Sequence, residues 1–247
     1  MQFSKLVAHA TFPVAKRVLP KGVRPRKTPD GVIYIDVTES ATMLLRAFGR
    51  YEPTKRRDLR NFLKEGMTFI DVGGNRGDFS LLASRAVGPT GRVITVEPAP
   101  ENCDCLQKMI ETNKLTNMQV VQAALWDQDG EGELHLATKT GWHSLTPRPG
   151  LAEVGTVVVR LVKLDSLVEE LGLDRVDAIK IDVEGAEIQV LLGARGILTG
   201  FRPFVAMDID ATRTAAEYTK VFETVDYEVR LPGGKELRAS HRAAAGV

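Results

Sequence analysis

The chain is predicted to fold as a doubly wound α/β domain around a mostly parallel sheet, on three observations. Short apolar runs alternate with segments of helical period from residue 67 onward. Two of these runs, at 67–72 and 176–182, carry an acid at or next to their last residue and lead into glycines. No stretch approaches the ~18–20 apolar residues of a membrane-spanning helix. Such alternation calls for a sheet covered on both faces. At 247 residues, 43% hydrophobic and 26% charged, the chain suits one globular domain with an extension better than two domains.

Residues 1–65 are expected to form an N-terminal basic arm and helical cap, and residues 66–247 the main domain. The first 29 residues hold Lys5, Lys16, Arg17, Lys21, Arg24, Arg26 and Lys27 but no acid. Pro13, Lys16 and Arg17 break up the only candidate secretory core, so the segment reads as a solvated, partly mobile arm. An acidic partner or lipid head groups are its alternative targets. Residues 32–37 read as a strand. Met43, Leu44, Ala47 and Phe48 fall at helical spacing. A second helix starts at Pro53, buries Leu59, Phe62 and Leu63, and ends at Gly66.

Strand 67–72 follows, then a helix burying Phe79, Leu82, Ala83 and Ala86. Strand 92–97 leads into a helix marked by Cys103, Leu106, Met109 and Ile110. Strand 118–125 precedes two strands, 131–137 and 156–162, around a Gly- and Pro-rich loop. Strand 176–182 is followed by a helix carrying Ile188, Leu191 and Leu192. Strand 203–209 precedes a helix with Ala215, Tyr218 and Phe222, and residues from 227 on close as a hairpin. Cys103 falls on a buried helical face and Cys105 does not. Their spacing fits neither a disulfide framework nor a zinc site, which points to a reducing, cytoplasmic setting. The net charge of +1 gives the molecule no overall field for nucleic acid, and neither a nucleic-acid partner nor a membrane span is expected.

The chemistry concentrates in two motifs. In Phe69-Ile70-Asp71-Val72-Gly73-Gly74-Asn75-Arg76-Gly77, glycines after a strand let the chain turn sharply and present free N–H groups at a helix start. Glu97 ends the next strand about 25 residues on, where an acid can accept hydrogen bonds from both hydroxyls of a ribose. A nucleoside ligand is therefore expected. The order Gly-Gly-x-x-Gly with Asp71 before it departs from the dinucleotide fingerprint. A carboxylate there would repel a pyrophosphate and suit the ammonium and sulfonium of S-adenosylmethionine. The second motif, Lys180-Ile181-Asp182-Val183-Glu184-Gly185-Ala186-Glu187, ends another buried strand at the same sheet edge. Its carboxylates suit a cationic donor, a metal, or a hydroxyl in need of a base, or simply a helix start.

On these motifs, with Gly49-Arg50-Tyr51-Glu52-Pro53, Val96-Glu97-Pro98 and Leu164-Asp165-Ser166-Leu167, the sequence resembles the FkbM-type methyltransferases over roughly residues 49–231. The resemblance implies a class I methyltransferase fold, Rossmann-like with a seven-stranded sheet, and S-adenosylmethionine as cofactor. It implies methylation of a hydroxyl on a small molecule, usually a sugar or a polyketide-type product. Asp71, Gly73, Asn75 and Gly77 would hold the methionine part of the donor and Glu97 the ribose. Ala123, Ala124 and Leu125 would lie near the adenine, with Asp182, Glu184 and Glu187 facing donor and acceptor. Two departures stand out. Gly74 replaces the usual alanine, and Met207-Asp208-Ile209-Asp210 stands where the family tends to show a glutamate.

Alcohol methylation needs the hydroxyl aligned and relieved of its proton. Asp182 and Glu187 are the first candidates, with Glu187 as proton acceptor and Asp182 nearer the donor; His143 is next. A Mg²⁺ site of Asp182, Asp208 and Asp210 is the competing device, weakened by the lack of a histidine or amide to complete it. Rival readings are a methyltransferase acting on RNA or protein, an NAD-dependent oxidoreductase, and a non-catalytic nucleoside-binding module. The chain has no Pro-Pro, which argues against a base-amine methyltransferase.

Overall fold

A computed structural model describes residues 2–147, 150, 152–210, 212–233 and 236–242. The N-terminal segment forms α1 (Gln2–Val18), then an antiparallel ribbon of β1 (Arg24–Lys27) and β2 (Val32–Ile35). The arm, for which the sequence predicts no separate helix, begins as a helix. α2 (Ala41–Ala47) starts where the Ser40 hydroxyl accepts the Met43 N–H at 3.2 Å, a side-chain cap. α3 (Pro53–Phe62) starts at Pro53 as expected but ends at Phe62. Gly66 instead makes the turn into the sheet, at φ +79°.

From there strands and helices alternate: β3 (Thr68–Val72), α4 (Asp78–Val87), β4 (Arg92–Val96), α5 (Pro100–Asn113), β5 (Met118–Val121), β6 (Ala124–Leu125), β7 (Gly130–Ala137), β8 (Glu153–Val162), α6 (Leu164–Glu170), β9 (Ala178–Ile181), α7 (Glu187–Leu192), α8 (Arg195–Gly200), β10 (Phe204–Asp208), α9 (Ala215–Glu223), β11 (Tyr227–Gly233) and β12 (Glu236–His241). The expected strand 118–125 is two strands, because the chain leaves the main sheet after Val121 and β6 pairs with β8 in a separate three-stranded sheet with β7. The short helix α8 carried no separate signal in the sequence.

The main sheet has seven strands in the order β11-β12-β10-β9-β3-β4-β5. Five of them, from β10 to β5, are parallel, and β12 runs antiparallel to both β10 and β11. Alternate residues of one strand enter opposite cores: Phe69, Val93 and Ala178 on one face, Ile70, Ile94 and Ile179 on the other. The cap contributes Ile33, Ile35, Met43, Leu44, Leu59 and Leu63 to the first of these, so its apolar side chains are continuous with that core. β3, β4 and β5 step outward on one side, and the chain then returns across β3 to lay down β9 and β10 on the other. The crevice where ligands bind in open α/β sheets lies beyond the carboxyl ends of β3 and β9.

Candidate active site

The turn after β3 is held by its own backbone. Gly73 and Gly74 N–H both donate to Val96 O, at 2.9 and 3.2 Å. Gly73 has φ +73°, and a Cβ there would stand 2.0 Å from Asp182 O, so only glycine lets the β3 and β9 tips approach this closely. At Gly74 a Cβ would stand 2.1 Å from Thr95 Cγ2. Thr95 is fully buried and its hydroxyl donates to Ser80 Oγ, so the threonine on β4 leaves no room for a side chain at Gly74. Asn75, at φ +48°, donates its N–H to Glu97 Oε2 at 2.7 Å. Glu97 Oε1 accepts from Ala99 N and Asn102 Nδ2 at 3.0 and 3.1 Å. Burial pushes the Glu97 carboxyl up, against the pull of those donors.

These groups line a cavity of about 310 Å³. It brings together Gly73, Asn75, Glu97, Ala123, Ala124, Leu125, Asp182 and His143, all singled out from the sequence, with Glu184 beside them. The Asn75 Oδ1 and His143 Nε2 atoms are buried without a hydrogen-bond partner. A buried acceptor facing a polar cavity of this kind is what a bound nucleoside with an ammonium group can satisfy.

Three expected residues stand elsewhere. Asp71 is fully buried, with Oδ1 3.1 Å from Lys180 Nζ and Oδ2 accepting from Ser80 Oγ at 2.5 Å. Its charge is matched inside the protein, and it does not line the cavity. Gly77 caps α4 against Met109 and Leu106, outside the cavity wall. Glu187 is 2% exposed; its Oε1 accepts Gly185 N and its Oε2 accepts the Tyr218 hydroxyl at 3.4 Å. It stands behind the wall formed by Glu184 and Ala186, so the expected proton acceptor does not line the cavity.

His143 is no loose loop residue. Its side chain is 7% exposed, and Nδ1 accepts the Ala137 N–H at 3.0 Å. That bond occupies Nδ1, while Nε2, buried without a hydrogen-bond partner, lies 3.6 Å from Glu101 Oε1. The short turn Thr140–Trp142 before it is fastened to both sides of the cavity: Asn75 Nδ2 donates to Thr140 O at 2.9 Å, and Thr140 N donates to Glu39 Oε1 at 2.8 Å. Trp142 and Lys139 line the outer wall.

The cap supplies residues that the motif reading passed over: Glu39, Met43, Arg46, Tyr51 and Glu52. Glu52 adopts φ +42°, a left-handed conformation uncommon outside glycine, immediately before Pro53. Lys55, fully buried, places Nζ 2.8 Å from both Glu52 Oε2 and Asp208 Oδ1. Arg46 lies against the Tyr51 ring at 4.2 Å and pairs with Asp78 at 2.5 Å. Burial raises the pKa of Asp182, but Lys180, Lys55 and Arg46 outweigh it and hold the carboxyl below its ordinary value. Burial, against Lys55, pushes Asp208 up to about 7.

Carboxylate oxygens of Glu52, Asp182 and Asp208 lie within 4.8 Å of one another, the one such cluster among the described residues. This corrects the candidate metal set: Asp210 instead accepts from Thr212 N and Oγ1, and the cation joining Glu52 to Asp208 is Lys55. Cys105 is also corrected. It is buried, with Arg76 donating to its Sγ at 2.7 Å.

Comparison with known proteins identifies the family. The FkbM methyltransferase domain model matches residues 71–234. The chain is 30% identical over 142 residues to Methyltransferase 1 of Beauveria bassiana, covering 50% of this chain and 57% of that protein. It is 26% identical over 184 residues to the 2-O-methyltransferase NoeI of Sinorhizobium fredii, covering 68% and 69%. The FkbM methyltransferase structure from Methylobacillus flagellatus aligns with TM-score 0.51 at 13% identity, over 94% of this chain and 58% of that one, a likeness of fold. The chain therefore spans little more than half the length of some of these relatives. Residues 71–234 are most of the chain, and the chain belongs to the FkbM methyltransferase family, whose methyl donor is S-adenosylmethionine.

Proposed function

We propose that the protein transfers the donor's methyl group to a hydroxyl of a small molecule of the sugar or polyketide type. The observation that carries this reading is one cavity whose wall gathers two chemically different sets of groups. Glu97 and the Gly73–Asn75 turn suit the ribose and methionine parts of the donor, with Ala123, Ala124 and Leu125 against the adenine. Asp182, Glu52, Tyr51, Arg46 and Trp142 line the same cavity and suit a polar acceptor. The 2-O-methyltransferase among the relatives supports an oxygen acceptor.

The bound donor supplies an electrophilic methyl. The chain aligns the acceptor and handles its proton. Asp182, held ionised by Lys180, Lys55 and Arg46, accepts a hydrogen bond from the acceptor hydroxyl and thereby orients its oxygen. Orientation is the larger part of the task in an in-line displacement. The hydroxyl proton passes to Asp182 or Glu52 as the oxygen bonds to carbon. Burial and neighbouring carboxylates hold the Tyr51 phenol protonated, so it can donate to a second acceptor oxygen. Incubation with labelled donor and a panel of sugar and polyketide hydroxyls tests the reading. Label should appear on an alcohol oxygen, and Asp182→Asn should lose about 10²-fold or more in turnover. Label confined to RNA or protein acceptors contradicts it.

A further inference from the structure

The N-terminal helix has two apolar faces, and the protein covers only one. Ala8 is buried and Phe12, Ala15 and Leu19 are half-buried, with Ala15 and Leu19 packed on the core that the cap shares with the sheet. The other face carries Leu6, Ala10, Val14 and Val18 at intervals of four, one row along the helix. Leu6, Val14 and Val18 are 68%, 64% and 73% exposed, and Val7 beside them 43%. Solvated helix faces are ordinarily polar.

The charge around this row is one-sided. Lys16, Arg17, Lys21, Arg24 and Lys27 are all exposed, and none makes an ion pair with a described residue. By contrast Arg56 and Arg60, a short way along the chain, both pair with Asp30. Residues 1–29 contain seven of the chain's 33 Lys and Arg and none of its 32 Asp and Glu. The near-neutral total hides a basic end on an acidic body.

We propose that α1 docks on an anionic lipid surface. It would lie flat, with Leu6, Val14 and Val18 at the acyl boundary and Lys16, Arg17, Lys21 and the β1 cations on the head groups. Three features favour lipid over an acidic protein. The uncovered row is purely aliphatic and offers no directional hydrogen-bonding group for a partner to read. From Leu6 to Val18 it runs about 18 Å along the helix, as the apolar face of an interfacial helix does. The cations are spread from Lys16 to Lys27 along exposed positions, which suits a diffuse anionic sheet reached by long, flexible side chains. α1 packs on α2, and Thr42, Met43 and Arg46 of α2 line the cavity, so a lipid-bound α1 would stand one helix away from it.

Flotation of the full chain with vesicles tests this, using neutral phosphatidylcholine alone and phosphatidylcholine mixed with phosphatidylglycerol. The expected result is binding to the mixed vesicles and none to the neutral ones, weakened by salt. Arg17→Glu with Lys21→Glu should lower the bound fraction about tenfold or more. Leu6→Ser with Val14→Ser and Val18→Ser should lower it comparably. All these positions are exposed, and unchanged unfolding temperatures and donor affinity confirm that each variant is folded. Absence of binding to the mixed vesicles, or equal binding to both kinds, overturns the proposal. So does wild-type binding by the serine variant, because the apolar row then takes no part. A concentration-dependent dimer that the serine variant abolishes also overturns it, by assigning the row to a second copy of the chain.

Discussion

Lys180 Nζ lies 3.1 Å from Asp71 Oδ1 and 3.0 Å from Gly73 O, joining the tip of β9 to the acidic residue and the glycine turn of β3. Asp71 is thereby a structural partner of Lys180. Lys180→Met leaves a buried carboxylate unpaired, and Asp71→Asn a buried ammonium short of one partner. Each should cost roughly 3–5 kcal/mol in denaturant unfolding, and the double variant much less than the sum. Additive losses would show that the pair is uncoupled.

Gly74 and Thr95 should show the same interdependence. A Cβ at Gly74 meets Thr95 Cγ2 at 2.1 Å, so Gly74→Ala overpacks a buried site and should cost about 1–3 kcal/mol. In a Thr95→Ala background, where that methyl is gone, the same change should cost far less. Equal costs in both backgrounds would remove Thr95 as the reason for the glycine.

Asp208 gives a pH signature. Its pKa rises from the ordinary 3.8 to about 7 on burial. Between those values the folded chain keeps a proton that the unfolded chain releases, so this group's contribution to stability falls as pH rises through the window. Asp208→Asn removes the effect. The unfolding temperature of the wild type relative to the variant should therefore decline from pH 4 towards pH 7. A flat difference contradicts the assignment.

The acids that suit the acceptor can be probed without knowing its identity. A donor analogue with an amine in place of the sulfonium methyl puts a cation where the methyl group travels. It should bind the wild type more tightly than S-adenosylhomocysteine does. Asp182→Asn should erase most of that preference, and Glu52→Gln part of it. Glu187→Gln should leave it intact, because Glu187 lies outside the cavity wall. Loss of the preference only in Glu187→Gln would restore that residue as the acid facing the methyl group.

Most of the fold was legible because it rests on local signals. The apolar runs that carry Asp71 and Asp182 at their tips, the Gly73-Gly74 turn and the helical spacing of Phe79, Leu82 and Ala83 each imply their element without reference to the rest. Glu97 could be placed the same way, from its position at a strand end, whereas Ala123, Ala124 and Leu125 were reached only through the family resemblance. The sequence was blind to pairing across distance. Whether Asp71 faces a ligand or Lys180 depends on where a strand more than 100 residues away lands. Asp182 and Glu187 both looked available, and only the course of the backbone through Gly185, at φ +106°, turns the second away into contact with Tyr218. Glu52 was visible only as part of the Tyr51-Glu52-Pro53 string. Its role follows from Lys55, which ties it to Asp208 on the far side of the fold.

The central claim is that the cavity at the ends of β3, β4 and β9 is the donor site, with Glu97 as its ribose ligand. Calorimetric titration of the purified chain with S-adenosylhomocysteine, repeated on Glu97→Gln, tests it most directly. Hydrogen bonds to a charged group are worth about 1.5–3 kcal/mol each, so the variant should bind at least roughly tenfold more weakly at an unchanged unfolding temperature, and NAD should give no heat with either protein. Equal affinity for wild type and variant, or tight binding of NAD with no response to S-adenosylhomocysteine, would contradict the account.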